Sequence, residues 1–426
     1  MMRGSEKKAF GVVGAGWGDE GKGLATDALT AHLIGQGRQV TVARSNGGAQ
    51  AGHGVTMDDC RHHVFHHIGS GSFRGAATHL SRFFVSHPMV FFSELEELAR
   101  KGVDDLQITA DPRSVITTPW DMAINQAAEI ARGAGKHGSC GLGFGEALER
   151  HEKGPQLTMQ DLYSPGLMSR LEEIASVWVP SRLAALGLTD IPVHLRPVLN
   201  NASGFVGRFA KDLQGYTAVV SLMSDEALGD CDAVVFEGAQ GLQLDMDLGV
   251  FPHVTRSYTG AKNMVKIARD AGFTDLEVIY MTRAYATRHG AGPFPLDRGT
   301  TPLPGTHVID RTNKPNEWQD AIRYAPLDLR ELDRIISADL ARSCGQGVNI
   351  DHGLGVTCLD QLGDKVLMSV MDMGEGPYVS EVDTENLADV ISGLSGHPLK
   401  LKSEGPCAEK VDLSLLAPVP HEEPCP

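Results

Sequence analysis

A glycine-rich loop near the start of the chain carries the residues best suited to chemistry. In the segment GAGWGDEGKG, Gly16, Gly21 and Lys22 fall on the spacing G-x-x-x-x-G-K-[ST] of a phosphate-binding P-loop. Gly23 stands where that pattern has the hydroxyl residue that binds Mg²⁺, and an acid, Asp19, lies inside the loop. We expect backbone N–H groups at a helix N-terminus and Lys22 to hold phosphate, with Asp19 as the first candidate for the metal ligand.

Two other interpretations of this loop stay open on the residues alone. Gly16, Gly18 and Gly21 also fit the dinucleotide-binding pattern G-x-G-x-x-G, which expects an acidic residue about 20 positions later. A tight turn between a strand and a helix is the simplest alternative. The phosphate-binding interpretation is favoured because it also uses Lys22 and because so many glycines and acids in ten residues are a costly way to make a turn.

The elements around the loop predict a βαβ unit. Residues 9–16 (AFGVVGAG) are typical of a buried strand, residues 20–37 of a helix that ends at glycines, and residues 39–48 of a second strand. This order favours a parallel sheet. Further along the chain we predict helices at 91–102 and 121–135, strands within 232–241 and 276–295, and two short strands within 347–363.

Composition limits the kinds of partner. The 426-residue chain is 42% hydrophobic and carries a net charge of −16, which argues against nucleic acid or an anionic membrane as the main partner. The seven cysteines form no C-x-x-C pair, and no apolar run reaches about 18 residues, so we expect a cytoplasmic protein with reduced thiols. We predict one continuous domain over residues 9–412 with helical insertions, an N-terminal tail over 1–8 and a Pro-rich tail over 413–426.

A histidine cluster, CRHHVFHH at residues 60–67, raises the question of a metal site. In a strand, His63 and His67 would share one face with Phe65, and His62 and His66 would share the other. A hydrogen-bonded strand is the favoured interpretation of this pattern, with zinc binding as the alternative.

Motifs spread along most of the chain resemble the adenylosuccinate synthetase family. The similar segments keep the family's order over residues 9–406: GWGDEGKG, GGAQAGHGV (47–55), HHIGSG (66–71), GSCGLGFG (138–145), FEGAQGLQLDMDLGVFPHVT (236–255), ATRHGAGPFP (286–295), VTCLD (356–360) and SEGP (403–406). The resemblance implies an α/β fold in which a mostly parallel central sheet is flanked by helices, a P-loop-like GTP-dependent ligase fold with helical insertions. It also implies a homodimer that joins L-aspartate to C6 of IMP, with GTP and Mg²⁺, through a 6-phosphoryl intermediate.

The resemblance assigns roles to catalytic residues. Asp19 matches the carboxylate that takes the N1 proton of the purine, so that the 6-oxygen can attack the γ-phosphoryl group. His53 matches an imidazole that stabilises the transferring group and protonates the leaving phosphate, and Lys22 matches the cation on the phosphates. Asp19 and the Gly52 carbonyl match the Mg²⁺ ligands, which would explain why Gly23 needs no hydroxyl.

The resemblance also assigns binding residues. For the phosphates and base of GTP it implies Gly18, Glu20, Gly21, Gly23, Gly54, Asp360, Ser403 and Gly405. For the substrate nucleotide it implies Gln50, Ser139, Cys140, Gln240, Leu244 and Thr255, with Arg150 as the arginine lent by a neighbouring subunit. A carboxylate at Asp360 would accept hydrogen bonds from guanine N1–H and N2–H₂, which adenine does not offer, and this favours GTP.

This chain departs from the family pattern at several places, including the following three. Cys140 replaces a threonine that holds phosphate, and Cys358 replaces a lysine that stacks on the base. Residues 310–328 replace an arginine-rich run that clamps aspartate, and alignment on Leu327-Asp328 leaves Thr312, Asn313 and Arg323 as aspartate-binding candidates, with Arg311 as a further cation.

The departures keep two alternatives open. Ala321 stands where the family has an arginine that also meets the ribose 2′-hydroxyl. One alternative is therefore the same chemistry on dGMP or another purine monophosphate, as in phage enzymes that make succino-aminodeoxyadenylate, although those relatives usually lack the loop aspartate. The other is a weakly catalytic nucleotide-binding paralogue.

Overall fold

The computed structural model describes residues 7–133, 138–308, 321–372 and 377–416. In these ranges the helices are α1 (Lys22–Gly35), α2 (Pro88–Arg100), α3 (Pro119–Arg132), α4 (Phe144–Lys153), α5 (Leu167–Glu173), α6 (Val179–Ala185), α7 (Arg196–Leu199), α8 (Val206–Val219), α9 (Ala261–Asp270), α10 (Leu329–Ser343) and α11 (Leu387–Ser395). The strands are β1 (Lys8–Gly14), β2 (Val40–Arg44), β3 (His53–Thr56), β4 (His62–Phe65), β5 (Ala77–Leu80), β6 (Val85–Ser86), β7 (Ile108–Ala110), β8 (Val115–Ile116), β9 (Val220–Leu222), β10 (Ala233–Glu237), β11 (Asp275–Arg283), β12 (Ala286–Arg288), β13 (Arg323–Ala325), β14 (Leu327–Asp328), β15 (Asn349–Thr357), β16 (Lys365–Asp372), β17 (Pro377–Asp383), β18 (Leu399–Ser403) and β19 (Val411–Asp412).

A ten-stranded sheet forms the centre of the fold, in the order β19-β18-β15-β11-β1-β10-β2-β5-β7-β9. Its pairs are parallel except for β18 with β19 at one edge. Its central strands are buried nearly throughout, as expected when helices cover both faces of a parallel sheet. The predicted α/β class with a mostly parallel sheet is confirmed.

The predicted βαβ unit is present as β1, α1 and β2. The glycine loop leaves the carboxyl end of β1, and Gly21 caps α1 with a left-handed φ of 82°. At Gly23 any Cβ would lie 2.8 Å from the Gly54 carbonyl oxygen, so the first turn of α1 packs directly against β3. This close approach explains the glycine at the position where a P-loop has a hydroxyl residue.

Helices α2 to α8 are inserted between β5 and β10 and build a core of their own. Trp120, Phe209 and Tyr216 are fully buried in this second core, which is separate from the one between the central sheet and helices α9 to α11. The prediction of helical insertions is therefore confirmed. Both cores border the loops that follow the sheet's carboxyl ends, where parallel sheets generally bind ligands.

One strand differs from the sequence expectation. Residues 347–363 form the single long strand β15 followed by a 3₁₀ turn, so the prediction of two short strands was wrong. The left-handed φ of 61° at Cys358 ends that strand.

No helix in the described ranges combines the length and the hydropathy of a membrane-spanning segment. The proposed domain limits stay a prediction, and residues 1–6 and 417–426 of its tails lie outside the described residues.

The histidine cluster lies on and just after β4. His63 and His67 are buried with Phe65 as the alternation predicts, and Glu94 of α2 lies 3.8 Å and 3.3 Å from the two rings. Glu94 also accepts hydrogen bonds from the backbone N–H groups that follow β4. Both rings of this face thus contact one buried carboxylate, and the contact of His67 is a hydrogen bond.

Candidate active site

Two cavities meet at the glycine loop. The larger has a volume of about 590 Å³ and the smaller about 400 Å³. Asp19, Lys22, Gly52 and His53 line both of them. The four residues predicted from the sequence to act in catalysis or metal binding are therefore brought to one junction between two compartments.

The predicted binding residues divide between the cavities. The larger cavity is lined by Gln50, Ser139, Cys140, Gln240, Leu244 and Thr255, the residues assigned to the substrate nucleotide apart from Arg150, and also by Gly18. The smaller cavity is lined by Gly21, Gly23, Gly54, Asp360 and Gly405, which were assigned to GTP. Ser403 is buried behind the smaller cavity, where its hydroxyl donates to the Gly405 carbonyl at 2.7 Å.

An acidic side chain inside the glycine loop, that of Glu20, holds the loop backbone in place. The Glu20 carboxylate accepts hydrogen bonds from the Gly16 and Gly18 N–H groups at 3.0 Å and 2.7 Å and pairs with Lys22 at 2.7 Å. Glu20 therefore fixes the loop and orients Lys22, and those two N–H groups are already bonded. The amino end of α1, which has no side-chain cap, is the part of the predicted phosphate cradle that faces the smaller cavity.

Asp19 sits in a constrained backbone position. Its φ of 66° is left-handed, which L-residues other than glycine seldom adopt without support from their surroundings. Arg283, the last residue of β11, supplies that support by donating from Nε to the Asp19 carbonyl at 2.5 Å. The Asp19 side chain is 26% exposed, and its Oδ2 lies 3.7 Å from Nε2 of His289. Its carboxylate is thus accessible at the junction while its backbone is fixed.

His53 belongs to a buried network that the sequence did not reveal. Its Nδ1 lies 2.6 Å from Oε1 of Glu237, the last residue of β10. Ser70 also bonds to Glu237, and the Arg44 guanidinium lies 3.7 Å away. Burial lowers the pKa of His53 to about 4 despite the attraction of Glu237. The neutral ring therefore donates from Nδ1 to Glu237 and presents Nε2 as an acceptor.

Glu237 is ionised although it is fully buried. Burial opposes its ionisation, but Arg44 and His53 outweigh that effect and lower the pKa of Glu237 to about 2. Nε2 of His53 is buried and makes no hydrogen bond within the described chain. The His53 ring therefore has a buried carboxylate at Nδ1 and an unbonded Nε2. This arrangement favours uptake of a proton when a negatively charged group binds nearby.

Other polar groups of the larger cavity also lack partners. Nε2 of Gln50 and Oε1 of Gln240 are buried without hydrogen bonds among the described residues, as expected of groups that bind a polar ligand. The Ser139 hydroxyl donates to Oδ1 of Asn125 at 2.9 Å and accepts from the Gly141 N–H at 3.2 Å, so it would have to rotate to donate to a phosphate. Burial raises the pKa of Cys140 to about 11, so the residue presents a neutral thiol.

The turn after β15 forms part of the wall of the smaller cavity. The exposed Asp360 lies in this turn. Thr357 joins the turn to the glycine loop, because its hydroxyl bonds to the Glu20 carbonyl at 3.1 Å. Tyr285 bonds to Gln361 at 2.5 Å and to Arg283 at 3.4 Å. The turn that carries Asp360 and the loop that carries Asp19 are therefore physically connected.

The roles predicted for Arg150 and for the aspartate-binding residues stay predictions. Arg150 is fully buried and bonds within its own chain, through Nη2 to Oδ2 of Asp121 at 2.9 Å and to the Ile116 carbonyl at 2.7 Å. Its side chain is therefore held within its own chain in this structure. Thr312, Asn313 and Arg311 lie outside the described residues. Arg323 pairs with Asp297 at 2.6 Å and lines neither cavity.

Several contributors were missed from the sequence. Glu237, Arg44 and Ser70 orient His53, and Arg283 orients Asp19. A lone acid at the end of the apolar run AVVFE was the one available signal, because a charge in a buried strand usually has a partner. In the sequence alone, Arg44, Ser70 and Arg283 look like ordinary strand-end or turn residues.

Comparisons with known proteins agree on a single family. The sequence profile of the adenylosuccinate synthetase family matches residues 11–313. The adenylosuccinate synthetase of Anaeromyxobacter sp. (strain Fw109-5) is 35% identical over 383 residues, which cover 88% of this chain and 83% of that protein. The adenylosuccinate synthetase of Streptomyces coelicolor is 32% identical over 290 residues, and the match spans 68% of this chain and 65% of that relative.

Solved structures show the same fold. The fully ligated adenylosuccinate synthetase of Plasmodium falciparum superposes with a TM-score of 0.69 at 17% identity, covering 95% of this chain and 99% of that one. The succinoaminodeoxyadenylate synthetase of cyanophage S-2L, bound to dGMP and dATP, gives a TM-score of 0.57 at 15% identity over 96% and 95% of the two chains.

Proposed function

The chain belongs to the adenylosuccinate synthetase family, and from this premise we propose that it joins L-aspartate to C6 of IMP with GTP as the phosphoryl donor. The observation that carries the proposal is the junction of two cavities at Asp19, Lys22 and His53. The reaction needs two nucleotides in separate compartments, with the γ-phosphoryl group of one beside the 6-oxygen of the other. The monophosphate would bind in the larger cavity and GTP in the smaller.

In the first step Asp19 removes the N1 proton of the purine, and the 6-oxygen attacks the γ-phosphoryl group of GTP, giving GDP and the 6-phosphoryl nucleotide. Lys22, oriented by Glu20, offsets the charge of the phosphates. The neutral His53 takes up a proton from solvent at Nε2 once phosphate charge raises its proton affinity, and it then donates to the transferring group, with Glu237 stabilising the imidazolium.

In the second step the amine of L-aspartate attacks C6 and inorganic phosphate leaves. The 6-oxygen departs with the phosphate, so one C–O bond breaks for the C–N bond that forms. The amine loses a proton, and the His53 imidazolium supplies one to the leaving group. The products are adenylosuccinate and phosphate.

The residues at the junction fit Mg²⁺. This ion takes oxygen ligands and is usually held by one or two carboxylates together with substrate phosphates and water. The accessible Asp19 carboxylate and the backbone of Gly52 lie at the junction, and the described residues contain no cluster of three or more metal-binding side chains that would hold an ion alone. When bound there, Mg²⁺ would neutralise charge on the β- and γ-phosphates. We assign Asp19 and the Gly52 carbonyl as its protein ligands.

A second candidate is the same ligation on dGMP. It is supported by the fold shared with the dGMP-bound cyanophage enzyme and by Ala321, which offers no arginine to a ribose 2′-hydroxyl. The loop carboxylate at Asp19 favours IMP. A nucleotide-binding paralogue with little catalysis is disfavoured by the convergence of Asp19, Lys22 and His53 at one point.

The experiment is a substrate panel read by mass spectrometry. The protein is incubated with GTP, Mg²⁺ and L-aspartate together with IMP, GMP or dGMP. We expect a succinylated product from IMP and equimolar GDP and phosphate. A succinylated product from dGMP but none from IMP would select the second candidate. GTP binding measured by calorimetry without any product would contradict both.

We further propose a homodimer, tested by light scattering. Val250 and Phe251, which are exposed on the segment that borders the larger cavity, are the apolar side chains we expect to be covered.

A further inference from the structure

We propose that Arg288 and His289 hold a carboxylate of the amine donor in the larger cavity. The inference rests on the proposed ligation and adds the residues that select an acidic amine donor. It starts from a buried cation that lacks a counter-anion within the described part of the chain.

Arg288, the last residue of β12, is 3% exposed and lines the larger cavity. Its Nη1 and Nη2 donate to the carbonyls of Pro293 and Ala291 at 2.7 Å and 2.8 Å. A guanidinium has five N–H donors, so three remain after these two bonds, and Nε is buried without a partner. No carboxylate among the described residues lies within ion-pair distance of it, and burial, followed by the nearby Arg323, lowers the pKa of Arg288 to about 10.

Other arginines that line the same cavity are already neutralised. Arg132 pairs with Glu129, Arg182 with Glu146, and Arg256 with Glu149. A buried cation without an anion is unfavourable, and an anionic ligand would remove that penalty. The charge pattern therefore places the anion subsite of the larger cavity at Arg288.

His289 extends this subsite towards the proposed base. Both of its ring nitrogens are buried without a hydrogen bond among the described residues. Nε2 nevertheless lies 3.7 Å from Oδ2 of Asp19, the group assigned to the purine N1 edge. A ligand held by Arg288 and His289 is therefore next to the reacting edge of the purine. This favours the amine donor over the 5′-phosphate, which is assigned to Ser139 and Cys140.

The segment is fixed before any ligand binds. Besides the two bonds from Arg288, Arg323 donates to the carbonyls of Gly290 and Gly292 at 2.9 Å and 3.0 Å. At Gly292 a Cβ would lie 2.4 Å from Nη2 of Arg288, so the turn closes tightly on the guanidinium. Arg323 thus supports the turn, and Arg288 is the arginine that faces the ligand.

The test compares Arg288→Gln, Arg288→Lys and His289→Ala with the matched surface control Arg269→Gln. Arg269 is exposed and lies on α9, outside both cavities. We expect Arg288→Gln to raise the KM for L-aspartate about 10-fold or more, since a charge-assisted pair is lost, and to leave the KM for IMP and GTP within about twofold. Arg288→Lys, which keeps the charge without the fork, should be intermediate, and Arg269→Gln should match the wild type.

A binding measurement separates this proposal from the activity. Succinate, a dicarboxylate without an amine, is titrated into the protein in the presence of IMP by calorimetry. We expect binding to the wild type and a loss of about 10-fold or more in Arg288→Gln and His289→Ala, whether or not turnover occurs. Unchanged succinate affinity in both folded variants would overturn the proposal. A KM increase confined to IMP would assign Arg288 to the nucleotide phosphate and would also overturn it.

Discussion

Nδ1 of His53 lies 2.6 Å from Oε1 of Glu237, at the point where the start of β3 and the carboxyl end of β10 meet. Both side chains are buried. The Ser70 hydroxyl bonds to the same carboxylate oxygen as His53, while the Ser70 N–H and the Arg44 guanidinium contact the other oxygen. The pairing fixes the ring orientation and leaves Nε2 without a hydrogen bond among the described residues. The proposed phosphoryl transfer depends on this orientation as much as on His53 itself.

Replacing Glu237 with Gln is therefore expected to reduce kcat by about 10- to 100-fold, the range seen when a buried partner of a functional histidine is lost. The KM for both nucleotides should change little, because Glu237 lines neither cavity. Steady-state kinetics measure the effect, with the exposed Glu226→Gln as control. A kcat equal to that of the wild type would show that the pair does not orient the ring for chemistry.

The carboxylate of Asp360 is expected to set the choice of donor base. An amide in Asp360→Asn offers a donor as well as an acceptor, so it should accept xanthine, which carries an oxygen at C2, better than guanine. We expect kcat/KM for GTP to fall by about 10-fold or more and kcat/KM for XTP to rise. If the variant keeps the GTP preference of the wild type, Asp360 does not contact the base.

The effect of the Cys140 thiol on monophosphate binding can be tested by restoring a hydroxyl at that position. Because burial raises the pKa of Cys140 to about 11, the neutral thiol is a weak donor to a phosphate. Cys140→Thr should lower the KM for the monophosphate several-fold, since a hydroxyl bond to a charged group contributes about 1.5–3 kcal/mol at most. The KM for GTP is the internal control. A higher KM for the monophosphate would place the phosphate elsewhere.

Arg150 should affect stability and not a neighbouring subunit. Arg150→Met leaves Asp121 buried without its cation, and breaking a buried pair in this way costs about 3–5 kcal/mol. Urea unfolding measures the loss. Mixing Arg150→Met with an Asp19→Asn variant should not restore activity. Recovery of activity on mixing would show that Arg150 acts across an interface.

The sequence predicted the fold well where a local pattern reports burial. β1, α1, β2, α2 and α3 all lie where apolar runs and glycine stops indicated. It failed at β15, because a continuous strand and two short strands share the same alternation until the turn at Cys358 is known.

The residues on the loops of the site could be predicted, but the residues that support those loops could not. Asp19 and Lys22 were identifiable from the glycine spacing of their loop, and His53 from the resemblance to the family. Glu237 and Arg283 were not, since they contact the loops from distant strands and only the folded sheet brings them near. The pairing of Arg150 with Asp121 was also not visible, because the two residues meet only in the folded chain.

The central claim is that Asp19 makes the purine 6-oxygen a nucleophile towards phosphorus. The direct measurement uses IMP labelled with oxygen-18 at C6 and follows the label by mass spectrometry in the wild type and in Asp19→Asn. We expect the label to appear in inorganic phosphate with the wild type, and Asp19→Asn to reduce the rate by about 10²–10⁴-fold, as for loss of a general base. Label released as water, or an Asp19→Asn variant as fast as the wild type, would contradict the account.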